Sequence, residues 1–169
     1  MNLETFKTFI QSNQNKLYRF ALSITKDPAT AQDVVQEVFI KIWDYVQTKT
    51  LESPNAWAMR LTRNLSIDKT RVKSRSFDSL GIVAELQTSD ADPMSNTITK
   101  DSLSKIQQFI SELPAKQRNI IHLREIEGMS YDEISEILEL PIQQVKVYLF
   151  RARKSIRQKY LKIDTYGIK

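Results

Sequence analysis

The chain contains no cysteine, a single histidine, only three glycines and no apolar run long enough to span a bilayer. Without cysteine there is neither a disulfide framework nor a thiolate metal site, which fits a reducing compartment. The lone histidine, His122, has no second histidine or cysteine to join it in a metal or nucleophile site. Its helical register turns it away from Ile120 and Leu123, so it is expected on the surface. The opening MNLETFKTFIQSNQNK has no signal-peptide core. The expectation is a soluble, cytoplasmic protein without direct membrane insertion. No glycine-rich phosphate loop is present, and the acidic pairs Asp33/Glu37 and Asp132/Glu136 have the spacing of solvated or partner-binding helix faces. The chain is therefore expected to be no enzyme, with no cofactor, no metal and no small-molecule substrate.

What is present is helix-forming and unevenly charged. The 169 residues are 41% hydrophobic and carry a net charge of +5. Residues 1–77 hold 12 basic and 7 acidic side chains, 78–111 hold 2 and 5, and 112–169 hold 11 and 8. Two basic lobes flank an acidic middle. Within it, residues 78–96 read DSLGIVAELQTSDADPMSN, aperiodic and rich in turn formers, the pattern of a flexible linker. Nothing alternates as strands do over a useful length. The fold class is all-α: two small helical domains, 1–77 and 97–169, joined by that linker.

The second domain ends in LPIQQVKVYLFRARKSIRQK, with six positive charges and no negative one. Val145, Leu149, Ala152 and Ile156 recur at helical spacing and face a core. Gln143, Val147, Phe150, Arg151, Lys154 and Gln158 fall on the opposite side. Amides and guanidinium suit base edges, apolar groups suit thymine methyls and cations suit phosphates, so this face fits a major groove. The alternative is a solvated basic helix. Just upstream, SYDE satisfies the capping-box pattern from Ser130 to Glu133 and opens a short helix with Ile134, Ile137 and Leu138 as its apolar side. A two-turn helix, a tight break and a longer basic helix make a helix-turn-helix. Before it, Pro114 to Glu127 reads as one more helix stopped at Gly128.

In the first domain, Asp27 and Pro28 start a helix whose Val34, Val35, Val38, Phe39, Ile42 and Val46 share one side. Its wet face carries Asp33, Gln36, Glu37 and Asp44, with Ile40 among them and Trp43 at the border, a candidate protein-binding spot. Next, Ser53 and Pro54 open a helix with Trp57, Leu61 and Leu65 as expected core contacts. Arg60, Arg63, Asn64 and Arg71 share a neighbouring face, and Lys69, Lys73 and Arg75 add charge. Clustered cations beside an aromatic residue suit a nucleic-acid backbone with a stacked or unpaired base, and simple burial of Trp57 is the competing reading.

In this order, DVVQEVFIKIW, AWAMRLTRNLSIDKTR and LPAKQRNIIHLREIEGMSYDEISEILELPIQQVKVYLFRARKSI resemble the segments of a bacterial extracytoplasmic-function (ECF) sigma factor. The resemblance covers nearly the whole chain. It implies an alternative sigma factor that binds core RNA polymerase and directs it to promoter DNA, reading minus-35 and minus-10 elements and aiding melting. It assigns Asp33, Gln36 and Glu37 to polymerase docking, to which the helical wheel adds Ile40 and Trp43. Asn64, Asp68 and Arg71 are implied to lie near the minus-10 element, alongside Arg60 and Arg63, with the loop QTKTLES placed to hold a flipped-out base. Lys146, Val147, Phe150 and Arg151 match minus-35 contact positions, alongside Gln143, Gln144 and Lys154. The family often has glycine where Glu139 stands, and small or hydroxyl residues at Gln143 and Gln144. Glutamine suits adenine, so an A/T-containing minus-35 element is expected. An antagonist, an anti-sigma factor, is also implied as a partner. The rival readings are a helix-turn-helix regulator dimerising on a palindromic operator and a pure interaction module. The first does not need polymerase, and the second leaves both basic helices idle.

Overall fold

A computed structural model describes residues 1–80 and 97–166 of the chain. Among the described residues all regular structure is helical: α1 Leu3–Thr25, α2 Pro28–Val46, α3 Pro54–Leu80, α4 Thr97–Ser111, α5 Ala115–Ile121, a π turn His122–Ile126, α6 Tyr131–Leu138 and α7 Ile142–Tyr166. They fall into two compact units, the first containing α1–α3 and the second α4, α5, the π turn, α7 and most of α6. None of these helices is long and apolar enough to cross a membrane.

The first unit is built by caps and one shared core. The Asn2 side chain accepts the Thr5 N–H at 2.8 Å to start α1, and Lys26 at φ 57° ends it in the left-handed region. Asp27 then accepts the Thr30 N–H at 3.1 Å, with Pro28 in the first turn of α2, as the sequence indicates. Val34, Val35, Val38, Ile42 and Val46 form the buried stripe of α2 against Phe6, Phe9, Leu17 and Phe20 of α1. The core face of α3 departs from expectation. Trp57, Leu61 and Leu65 are only half-buried, while Ala58, Met59, Thr62 and Ser66 are buried instead. Small side chains let α3 approach closely, and the Thr62 hydroxyl donates to the Ala58 carbonyl at 2.8 Å, so its burial leaves no donor unmet. The Trp57 ring rests on Tyr45, centroids 4.9 Å apart. The helix also runs on to Leu80, through the first three positions of the expected linker; residues 81–96 of that linker lie outside the described residues.

In the second unit the helix expected from Pro114 to Glu127 is two elements. After α5 the chain widens into the π turn, and the Glu127 N–H donates to the His122 carbonyl at 3.1 Å, five residues back. Gly128, at φ 69°, supplies the expected stop. The surface position expected for His122 is wrong: its N–H still bonds the Arg118 carbonyl in α-helical register, every residue from Asn119 to Leu123 is buried, and its Nε2 lies 3.1 Å from Glu127 Oε1. The Ser130 capping box forms in both directions, and Ile134, Ile137 and Leu138 are buried as expected. Val145, Leu149 and Ala152 make the buried stripe of α7, with Ile156 at its half-buried margin.

Candidate nucleic-acid interface and docking face

The fully buried stripe of α7 fixes which side of that helix faces out. Gln143, Gln144, Lys146, Val147, Phe150, Arg151 and Lys154 are all exposed. Phe150 is 66% open and Val147 46%, two apolar groups one turn apart among cations. The positive charges of α7 divide into two sets. Arg153 is held by Glu125 of the π turn and Lys159 by Glu112, whose carboxyl lies below its ordinary range because Lys159 donates to it. Arg151, Lys154 and Arg157 have no ion pair among the described residues. So two of the seven cations on this helix brace the unit, and the other five, Lys146, Arg151, Lys154, Arg157 and Lys162, are exposed without an ion pair among the described residues.

The turn before α7 rests on Glu139, whose φ of 54° and ψ of 43° place it in the left-handed region. Glycine adopts this conformation without strain, and glutamate does so at a cost of about 1 kcal/mol. The helix-turn-helix geometry forms nonetheless: the Leu140 N–H donates to Ser135 and the Gln144 N–H to Pro141, at 3.1 and 2.9 Å. The sequence reading missed Arg124 and Tyr131. The Tyr131 ring lies 4.6 Å from the Arg124 guanidinium carbon and 5.6 Å from Lys146 Nζ, while Arg124 also donates to the Met129 carbonyl at 2.7 Å. An arginine seven residues ahead of an aromatic first helical residue was the available signal, but the π turn that carries it was not visible in the periodicity.

On α2, Asp33 and Gln36 are exposed and Ile40 is 61% open, as the wheel indicates. Glu37 is half-buried and engaged, with Lys69 at 3.1 Å and Lys41 at 3.7 Å. Trp43 is half-buried with its ring 4.8 Å from that of Phe6. On α3, Asn64, Asp68 and Arg71 are exposed, whereas Arg60 and Arg63 are half-buried; Arg63 donates to Asn64 Oδ1 at 3.2 Å. Lys73 reaches back to Asp27 at 2.6 Å and holds that carboxyl down at about 2.

The family descriptions for Sigma-70 region 2 and Sigma-70 region 4 match residues 9–76 and 103–156. The ECF RNA polymerase sigma-E factor of Haemophilus influenzae is 32% identical over 137 residues, covering 75% of this chain and 72% of that protein. This chain belongs to the ECF sigma factors. The ECF sigma factor SigW of Bacillus subtilis is 26% identical over 165 residues, 92% of this chain and 88% of that one. Among solved structures, the sigma factor RpoE in complex with the anti-sigma factor NepR from Bartonella quintana superposes with a TM-score of 0.75 at 26% identity, over 96% of this chain and 99% of that one. As an ECF sigma factor the protein is a transcription initiation factor that directs RNA polymerase to promoters. A stand-alone helix-turn-helix regulator accounts for region 4 alone; the region 2 match over α1–α3 separates the two readings.

Proposed function

We propose that the exposed face of α7 reads the minus-35 element, that α3 engages the minus-10 element, and that the acidic face of α2 docks on core polymerase. The observation that carries this assignment is the sorting on α7: every candidate reading residue is exposed, and the cations that brace the unit are different ones. Gln143, Gln144, Val147, Phe150 and Arg151 then meet base edges and methyls, and Lys146 and Lys154 meet phosphates. On α3, Asn64, Asp68 and Arg71 line the outward face, with Arg60 and Arg63 set deeper. On α2, Asp33, Gln36, Glu37 and Ile40 form the docking face, and Trp43 supports it from below through Phe6.

The functional domains are 1–77 and 97–169, with the intervening acidic stretch acting as a tether. Docking both domains on one enzyme makes the second DNA contact intramolecular, at an effective concentration of about mM for a tether that spans the sites. An anti-sigma factor is the expected antagonist, in keeping with the partner of the Bartonella quintana protein. The chemistry belongs to the polymerase, and the sigma chain supplies address and melting. Run-off transcription with core RNA polymerase on randomised promoter fragments tests the assignment. Selective transcripts that depend on the protein and vanish with Glu37→Lys are expected. Transcripts that survive Glu37→Lys would remove docking from α2, and unchanged promoter choice with Phe150→Ala and Gln144→Ala would remove reading from α7.

A further inference from the structure

The central carboxylate of the α2 face is not vacant. Glu37 accepts Lys69 of α3 at 3.1 Å, closer than its same-helix neighbour Lys41 at 3.7 Å. Asp33, one turn earlier on the same face, has no ion pair among the described residues. Lys69 in turn lies on α3 directly after Asp68 and two residues before Arg71, within the segment proposed for minus-10 DNA. One cation of the DNA-bearing helix is thus spent on the helix proposed to meet polymerase.

Resting on that docking assignment, we infer that Lys69 is an internal competitor for Glu37: a polymerase cation displaces it, and the released ammonium becomes available to promoter phosphate. Both side chains are about one-third exposed, 35% for Lys69 and 36% for Glu37, so water and incoming charges reach the pair. An exchange between two ion pairs at such a surface changes affinity by a small factor, about two- to fivefold. The effect is reciprocal, because whatever frees Lys69 on docking must make DNA binding favour docking to the same degree. Free protein and assembled holoenzyme then differ by one available cation on α3.

Lys69→Gln separates this from a purely structural strut. It is expected to tighten binding to core polymerase, measured without DNA, about two- to fivefold. In a Glu37→Gln background the same substitution is expected to change core affinity not at all, and Lys69→Arg is expected to restore the native affinity. In the holoenzyme, Lys69→Gln is expected to lower the salt dependence of promoter binding by about 0.7 to 0.9 in log–log slope, one phosphate contact. Core affinity that is unchanged or weakened by Lys69→Gln, while Glu37→Lys abolishes docking, would overturn the competition and leave the pair as a strut between α2 and α3. Docking that tolerates Glu37→Lys would overturn the underlying assignment as well. Tighter docking with an unchanged salt slope would overturn the hand-over to DNA.

Discussion

Glu127 and His122 stand five residues apart and meet inside the protein, Nε2 to Oε1 at 3.1 Å, with side chains 1% and 6% exposed. Spacing of five is the repeat of the π turn, so the widened turn and the pair are one feature. His122→Leu should remove a partner from a buried carboxylate and cost the second unit about 2 kcal/mol in urea unfolding. Replacing both residues by apolar ones of similar size should recover part of that loss; a double variant less stable than His122→Leu alone would contradict this account.

Glu139 offers the opposite change. Because it sits at φ 54°, Glu139→Gly should raise stability by about 0.5–1 kcal/mol, and Glu139→Val should lower it. Denaturant midpoints of the two variants check the sign. Base preference at the minus-35 element should stay as it is, since Glu139 precedes the face proposed to read it.

Asp27 gives the first unit an acid limit. Its carboxyl is depressed from 3.8 to about 2, chiefly because Lys73 donates to it and then because Thr30 does. A depressed carboxyl stabilises fully above its ordinary value and loses that contribution as pH falls through the folded one. Stability should therefore drop between about pH 4 and pH 2, by no more than about 1 kcal/mol for so exposed a pair. Asp27→Asn keeps the α2 cap, since asparagine caps as well as aspartate, and should flatten that acid limb in a pH series of thermal unfolding.

Phe150 should matter to DNA and not to folding. At 66% exposure its truncation to Ala should shift stability by less than about 0.5 kcal/mol. Discrimination among minus-35 sequences should fall by about 1–3 kcal/mol, about fivefold to 150-fold, in competition binding by the holoenzyme.

The sequence displayed most where one side chain type did one job. On α2 and α7, branched apolar residues at helical spacing marked the buried stripe, and the outward faces followed by elimination. On α3 the same logic misplaced the core, because Ala58, Thr62 and Ser66 are buried for their small size and carry little apolar signal. Leucine drew the eye to Leu61 and Leu65, which flank the contact. The π turn escapes because a 3.6-residue repeat cannot register a local widening, and His122 reads as outward because the buried face from Asn119 to Leu123 is broad and includes polar side chains that carry no apolar signal. Glu37 was legible as an acid on a wet face, but its engagement by Lys69 joins residues 32 positions apart, and no local pattern reports that.

The second half of α3 has a consequence of its own. From Arg71 to Ser76 every side chain is exposed, yet the helix persists, with Lys73 moored to Asp27 at the start of α2. At 1.5 Å per residue, the helical stretch from Asn64 to Arg75 spans about 16 Å, about three helical turns. For the minus-10 contact proposed for α3, a strut of that length behaves as a measuring rod: it sets the separation of Asn64, Arg71 and Arg75 in advance. What it meets must conform to its spacing, so a glycine inserted near Thr70 would loosen the gauge while leaving every chemical group in place.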